Sequence, residues 1–273
     1  MGQPALQMHL PQGDEVVVAL QGAQVLSWKT ADGAQHLYLS PRSTFDGHTA
    51  IRGGVPLCFP QFNQRGPLPK HGFARNMPWR LETTETGAQH AEMRLVLHDD
   101  EATRALWPGH AFTTHITVTL TAGALRIGLT VHNPGASAWE FTAALHSYLR
   151  VDSIAQTQLN GLSGCARWDS VANLRDVQQG PVVFDGEYDS VFAAAAEPLR
   201  LQQRDGAALS IAQSPTFGNT VVWNPGAALC AQLADMPDDG FTHMLCVEAG
   251  CIDQPVRLSA GQQWSGWQQL RAL

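Results

Sequence analysis

A chain of 273 residues carrying 17 basic and 24 acidic side chains, a formal charge of −7, has room for one large core or two modest ones. Its charges form no long block of one sign, which argues against nucleic acid or an anionic membrane as partner and confines any positive site to a local cluster. The cysteines Cys58, Cys165, Cys230, Cys246 and Cys251 make an odd set without a CxxC pair, so free thiols in a reducing cytoplasm are expected, with neither a disulfide framework nor a metal site.

From the N-terminus, residues 1 to 10 lack the basic and apolar stretches of a leader, and nowhere do about eighteen uninterrupted apolar residues accumulate. A soluble protein is expected. Val16 to Leu20, Gln24 to Trp28 and His36 to Leu39 read as short strands, with a turn at Ala31-Asp32-Gly33. A Gly/Pro-rich stretch follows, Ile51 to Pro60, and then Lys70 to Arg75. Trp79 to Thr83 and Glu92 to Leu97 are further strand runs. In Phe112 to Leu120 apolar Phe112, Ile116, Val118 and Leu120 share one face, and Leu125, Ile127, Leu129 and Val131 repeat the pattern beyond Thr121-Ala122-Gly123, which predicts a hairpin.

Phe141 to Val151 reads as one strand, with Phe141, Ala143, Leu145, Leu149 and Val151 on one face and Thr142, His146, Tyr148 and Arg150 on the other. Gly186 to Ala196 is mixed, with a helical turn predicted over Ala193 to Ala196. Leu199 to Leu201, Leu209 to Ala212, Thr220 to Trp223 and His243 to Val247 complete the set, with turns at Asn160-Gly161, Asn224-Pro225-Gly226 and Asp238-Asp239-Gly240. Many short strands at this spacing, with neither repeat nor linker, predict an all-β antiparallel sandwich or barrel in a single domain over residues 1–273.

Chemistry concentrates in three places. The Ile51 to Arg75 region gathers Arg52, Lys70, His71 and Arg75 on a rigid backbone, the inventory for a small anionic, hydroxyl-rich ligand, because a guanidinium matches phosphate bidentately. Gly53-Gly54 let the backbone turn or approach a ligand. His146 lies on the polar face of its strand. Glu248 interrupts the apolar run Met244 to Ile252, which reads as a central strand buried on both faces, and a carboxylate there must be paired, hydrogen-bonded or neutral. The signatures GxxxxGK[ST], GxGxxG and GxSxG are absent, so neither a nucleotide cofactor nor a serine nucleophile is indicated, and Cys58 between Leu57 and Phe59 reads as core packing.

Ile51-Arg52-Gly53-Gly54-Val55-Pro56, Phe59-Pro60-Gln61-Phe62, His71 to Asn76, Pro78-Trp79, Leu145-His146, Tyr188-Asp189, Val222-Trp223-Asn224-Pro225 and Val247-Glu248-Ala249-Gly250 together resemble the glucose-6-phosphate 1-epimerases, the hexose-6-phosphate mutarotases of the galactose-mutarotase-like superfamily. The blocks occur in family order over roughly residues 50 to 250. The resemblance implies a large antiparallel β-supersandwich and interconversion of the anomers of aldohexose 6-phosphates without cofactor or metal. It implies His146, as imidazolium, for the catalytic acid and Glu248, as carboxylate, for the base, each favouring the other's charge. It further implies Arg52 and Arg75 at the phosphate, Asp189 on a sugar hydroxyl and His71 as a second site histidine, with Lys70 beside them. A cytoplasmic monomer is the expected state. The chain departs from the pattern at Asn63 and Lys70, where the family commonly has Gly and Gln, and at Ser190, where it often has a basic residue. The rival readings are an epimerase of unphosphorylated aldoses, and a non-catalytic carbohydrate-binding sandwich with Trp79, Trp168 and Trp223 as stacking platforms.

Overall fold

The computed structural model describes residues 4–204, 206 and 208–273. The two long alternating runs form the hairpin that the sequence predicts. Thr113–Thr121 pairs with Ala124–His132 in full register, from Thr113 opposite His132 to Thr121 opposite Ala124, and Gly123 at φ +62° closes the turn. Every second residue, from Thr114 to Leu120 and from Leu125 to Val131, is buried.

This hairpin is part of a nine-stranded sheet in the order Val182–Val183, Gln158–Asn160, Leu199–Gln202, Ala208–Gln213, Gln263–Ala272, Ala124–His132, Thr113–Thr121, His90–His98, Arg80–Thr86. An eight-stranded sheet runs Leu174–Val177, Ala166–Asp169, Tyr188–Ala193, Asn219–Asn224, Met244–Leu258, Trp139–Leu145, Leu57–Cys58, with Tyr148–Arg150 also paired to Met244–Leu258. Ala5–His9, Glu15–Ala19 and Val25–Lys29 form a third sheet. All pairs between these strands are antiparallel, the pattern expected for the galactose-mutarotase-like fold.

The main core lies between the two large sheets, where Phe141, Ala143, Leu145, Leu245, Val247, Ala249, Phe192 and Val222 from one meet Ile116, Leu129, Leu209 and Leu270 from the other. Because strand side chains alternate, the intervening residues Thr142, His146, Asp189, Val191, Val221, Trp223, Cys246 and Glu248 are directed to the opposite face of the eight-stranded sheet. That face carries the site. Met244–Leu258 has paired strands on both sides and is buried without interruption from Met244 to Ile252, the central position its composition predicts.

Three expectations are corrected. The run Phe141 to Val151 is two strands, broken at His146-Ser147, where the His146 N–H donates to Pro56 O at 2.9 Å and the Tyr148 N–H to Gly54 O at 2.8 Å. No helical turn forms at Ala193 to Ala196; Ala193 ends a strand. His36 to Leu39 makes isolated bridges only.

Candidate active site

Two glycine-dependent crossings bring the Gly/Pro-rich region under the eight-stranded sheet. Gly53 and Gly54 have φ of +119° and +60°, and a Cβ on them would lie 2.5 Å from Tyr38 O and 2.0 Å from Val25 O. Their freedom therefore serves close approach of backbone to backbone, where the sequence left open approach to a ligand. Farther on, His71 and Gly72 have φ of +66° and +70°, and a Cβ on Gly72 would sit 2.1 Å from Phe59 O. Asn63 also has a left-handed φ, +49°, a region that its short polar side chain tolerates.

These crossings place Arg52, Lys70, His71 and Arg75 around one cleft with His146, Asp189 and Glu248, so that all seven candidate residues line a cavity of about 250 Å³. His146 Nε2 lies 3.3 Å from Glu248 Oε1. The two residues are 7% and 1% exposed. Tyr148 stacks on the His146 ring at 4.8 Å and 11°, and His71 and Trp223 meet it edge-on at 5.5 and 6.0 Å, so the imidazole plane is fixed from three sides. His146 Nδ1 and Glu248 Oε2 are buried with no partner among the described residues, a cost that native sites carry where a ligand atom is to be met.

Burial shifts both members of the pair. It pushes Glu248 well above the usual carboxylate range, helped by Asp189 and only partly opposed by Arg75. It pulls His146 well below the usual imidazole value, with His71, Arg75 and Arg52 adding to the effect. Burial thus disfavours the charged form of both members of the pair. His71 is likewise held down, to about 3, by burial and by Arg75, Lys70 and Arg52. Asp189 is raised by burial.

The cations differ in how they are held. Arg52 donates through Nε to Asp235 Oδ2 at 3.1 Å and through Nη1 to Tyr148 Oη at 3.0 Å. Arg75 donates to the Lys70 carbonyl at 3.0 Å while its Nε is buried and unpartnered. Neither Arg75 nor Lys70 forms an ion pair among the described residues. Arg65, absent from the candidates, also lines the cleft, bonded to Asp253 at 3.1 Å and lying 4.8 Å over the Trp168 ring. Ser170, Glu187, Leu229 and Leu233 also line it and carry no local signal in the sequence. Of the proposed stacking platforms, Trp168 and Trp223 face the cleft, but Trp79 is buried elsewhere with its indole N–H on Ala74 O at 3.0 Å. Asn224 is structural, donating to Phe241 O and Met244 O at 2.9 and 2.8 Å.

A larger groove of about 630 Å³ lies across Trp168, but it contains neither His146 nor Glu248, and Arg167 in it is neutralised by Asp176. Among the described residues no cluster of His, Cys, Asp and Glu could hold a metal ion, and no helix is long and apolar enough to cross a membrane.

The chain is 32% identical over 266 residues to a Cenchrus ciliaris protein described as "Putative glucose-6-phosphate 1-epimerase", an alignment covering 94% of this chain and 80% of that protein. An Escherichia coli K12 protein of the same description is 37% identical over 248 residues, covering 88% of this chain and 81% of its own length. The crystal structure of a "putative mutarotase" from Salmonella typhimurium superposes with a TM-score of 0.90 at 31% identity, covering 98% of this chain and 90% of that one. At 13% identity a galactose mutarotase related enzyme from Lactobacillus acidophilus, with a TM-score of 0.78 over 99% of this chain and 97% of its own, shows the same fold. Since the family model described as aldose 1-epimerase matches residues 4–271, nearly the whole length over which sheets and cleft are built, the chain belongs to the aldose 1-epimerase family and is an isomerase.

Proposed function

We propose that this protein interconverts the α and β anomers of aldohexose 6-phosphates, glucose 6-phosphate among them, by opening and reclosing the pyranose ring. The observation that carries the reading is the contact of His146 with Glu248 in the same cleft as Arg75, a guanidinium with no carboxylate partner among the described residues. The family supplies the reaction, and the description of the curated relatives supplies the phosphate ester.

The phosphate has a second role beyond affinity. Arg75 and Arg52 help hold His146 below its usual value, so a dianion beside them and Lys70 cancels that field and favours a proton on His146, 3.3 Å from Glu248. Glu248, as a carboxylate, removes the proton of the anomeric hydroxyl while His146 protonates the ring oxygen, and the C1–O5 bond breaks to give the open aldehyde. Rotation about C1–C2 presents the other carbonyl face. The C5 hydroxyl then attacks, its proton returns to His146, and Glu248 protonates the new anomeric oxygen. Each turnover restores the pair, and each positioned group contributes roughly 10²–10⁴-fold. Asp189 is assigned to a sugar hydroxyl.

Charge-assisted contacts at the phosphate are worth about 1.5–3 kcal/mol each, enough for a preference of about 10² or more for the ester over the free sugar. Anomer exchange measured by NMR on glucose 6-phosphate and on glucose tests this. A large preference for the ester in kcat/KM, lost in Arg75→Gln, is expected. Equal rates on the two sugars overturn phosphate recognition, and no acceleration of either overturns the reaction.

A further inference from the structure

Cys58 is a buried thiol that the proposed reaction does not use, yet its Sγ lies 3.0 Å from Nδ1 of His71. A thiol and an imidazole nitrogen can bond in either direction, so this contact alone fixes no proton. A second contact does. The backbone N–H of Asn63 is directed at the same Nδ1 at 3.3 Å, and a backbone N–H can only donate. Nδ1 must therefore present its lone pair. Burial pushes the Cys58 thiol above its ordinary value, so the sulfur keeps its proton and donates it.

The backbone supports the same arrangement. His71 N–H donates to Asn63 O at 2.9 Å, so the two residues clamp each other, and the left-handed φ of Asn63, +49°, aims its amide at the ring. Arg75 and Lys70 beside a buried ring keep it from taking a second proton. The proton of a neutral His71 is left on Nε2, which takes no partner among the described residues, in a ring that lines the cleft 5.5 Å from the His146 ring.

We infer that Cys58 is a positioning residue: with the Asn63 amide it locks His71 as the neutral Nε2–H tautomer, which serves as a hydrogen-bond donor to a sugar oxygen next to His146. His71 is thus excluded as the proton donor, and the thiol acts through His71 without touching the sugar. This inference rests on the proposed function only for what the sugar is; the tautomer itself is a property of the free protein.

Long-range proton–nitrogen NMR of the free wild-type protein decides the tautomer without any substrate. His71 is expected to show a pyridine-type Nδ1 and a pyrrole-type Nε2, unchanged between pH 5 and 9. A proton on Nδ1, or titration of the ring in that range, overturns the inference. Cys58→Ala and Cys58→Ser then test the thiol. The alanine variant is expected to shift the His71 Nδ1 resonance and to lower kcat for glucose 6-phosphate about 10-fold, the loss of one hydrogen bond. The serine variant, which keeps a donor, should stay within about threefold of wild type. Unchanged His71 resonances and unchanged kcat in the alanine variant would reduce Cys58 to packing. If the wild type proves inactive on sugar phosphates, the spectrum still decides the tautomer, so the two failures are told apart.

Discussion

Glu248 is the residue at which stability and chemistry oppose each other most directly. Burial raises its carboxyl well above the ordinary value of 4.5 at which it ionises in the unfolded chain. The folded state thus binds more protons above that pH, and stability falls as pH rises, by up to about 1.4 kcal/mol per pH unit until the folded-state value is reached. His146 works the other way: burial holds its ring well below the 6.5 at which it protonates in the unfolded chain, so stability rises with pH up to that point. The two contributions oppose each other between 4.5 and 6.5, and above 6.5 only that of Glu248 continues. Glu248→Gln, which cannot ionise, should lose about 10²-fold or more in anomer exchange yet gain stability over wild type, by up to about 2 kcal/mol more at pH 8 than at pH 6.5. Urea unfolding at the two pH values measures the difference; a gap that does not widen would mean that the carboxyl is already ionised in the folded protein. The imidazole offers a companion measurement. Inorganic phosphate bound near Arg52 and Arg75 should raise the NMR titration midpoint of His146, and a midpoint indifferent to phosphate would remove the ester from the control of the acid.

At the scale of elements, alternation turns the His146 imidazole to the cleft, and the break at His146-Ser147 beside it is braced from the other sheet. Ser147 and Gln268 are fully buried, the Ser147 hydroxyl donates to Gln268 Oε1, and Gln268 Nε2 donates to Val247 O at 3.0 Å. This link ties the break and the strand bearing Glu248 to Gln263–Ala272 in the other sheet. Ser147→Ala leaves Gln268 Oε1 buried and unpaired, so it should cost about 1–3 kcal/mol in denaturant unfolding and lower kcat more than it raises KM. A drop in stability with unchanged kcat would show that the link braces the sheets without orienting His146. The same elements explain what the sequence discloses. The hairpin Thr113–Thr121 and Ala124–His132 was legible because one face is apolar and the other rich in Thr. Gln263–Ala272 was not, because buried Gln268 and Gly266 blur its alternation. The break itself was hidden by apolar residues on both sides. Glu248 stood out because an apolar strand makes a carboxylate conspicuous, whereas Asp235, which holds Arg52 from 183 residues away, is made a partner only by the tertiary fold.

For the molecule as a whole, the net charge of −7 and the cationic cleft make opposite demands on a dianionic substrate. Carboxylates spread over the surface repel it at long range, while Lys70, Arg75 and the partly neutralised Arg52 attract it from within one cleft. Salt separates the two, because the screening length shortens from roughly 30 Å at 0.01 M to about 3 Å at 1 M, and a short-range cluster and a diffuse shell of opposite sign then change the encounter rate in opposite directions. If the cleft governs capture, kcat/KM for glucose 6-phosphate should fall about 3–10-fold between roughly 0.02 and 0.5 M salt, while that for glucose moves less than about twofold. The fall should be smaller in Arg75→Gln, which removes the guanidinium without a carboxylate partner among the described residues, than in Arg42→Gln, whose charge Asp238 already neutralises at 3.2 Å on the surface. A kcat/KM for the ester that rises with salt would mean that the overall negative charge controls approach and that the arginines around the cleft do not receive the phosphate.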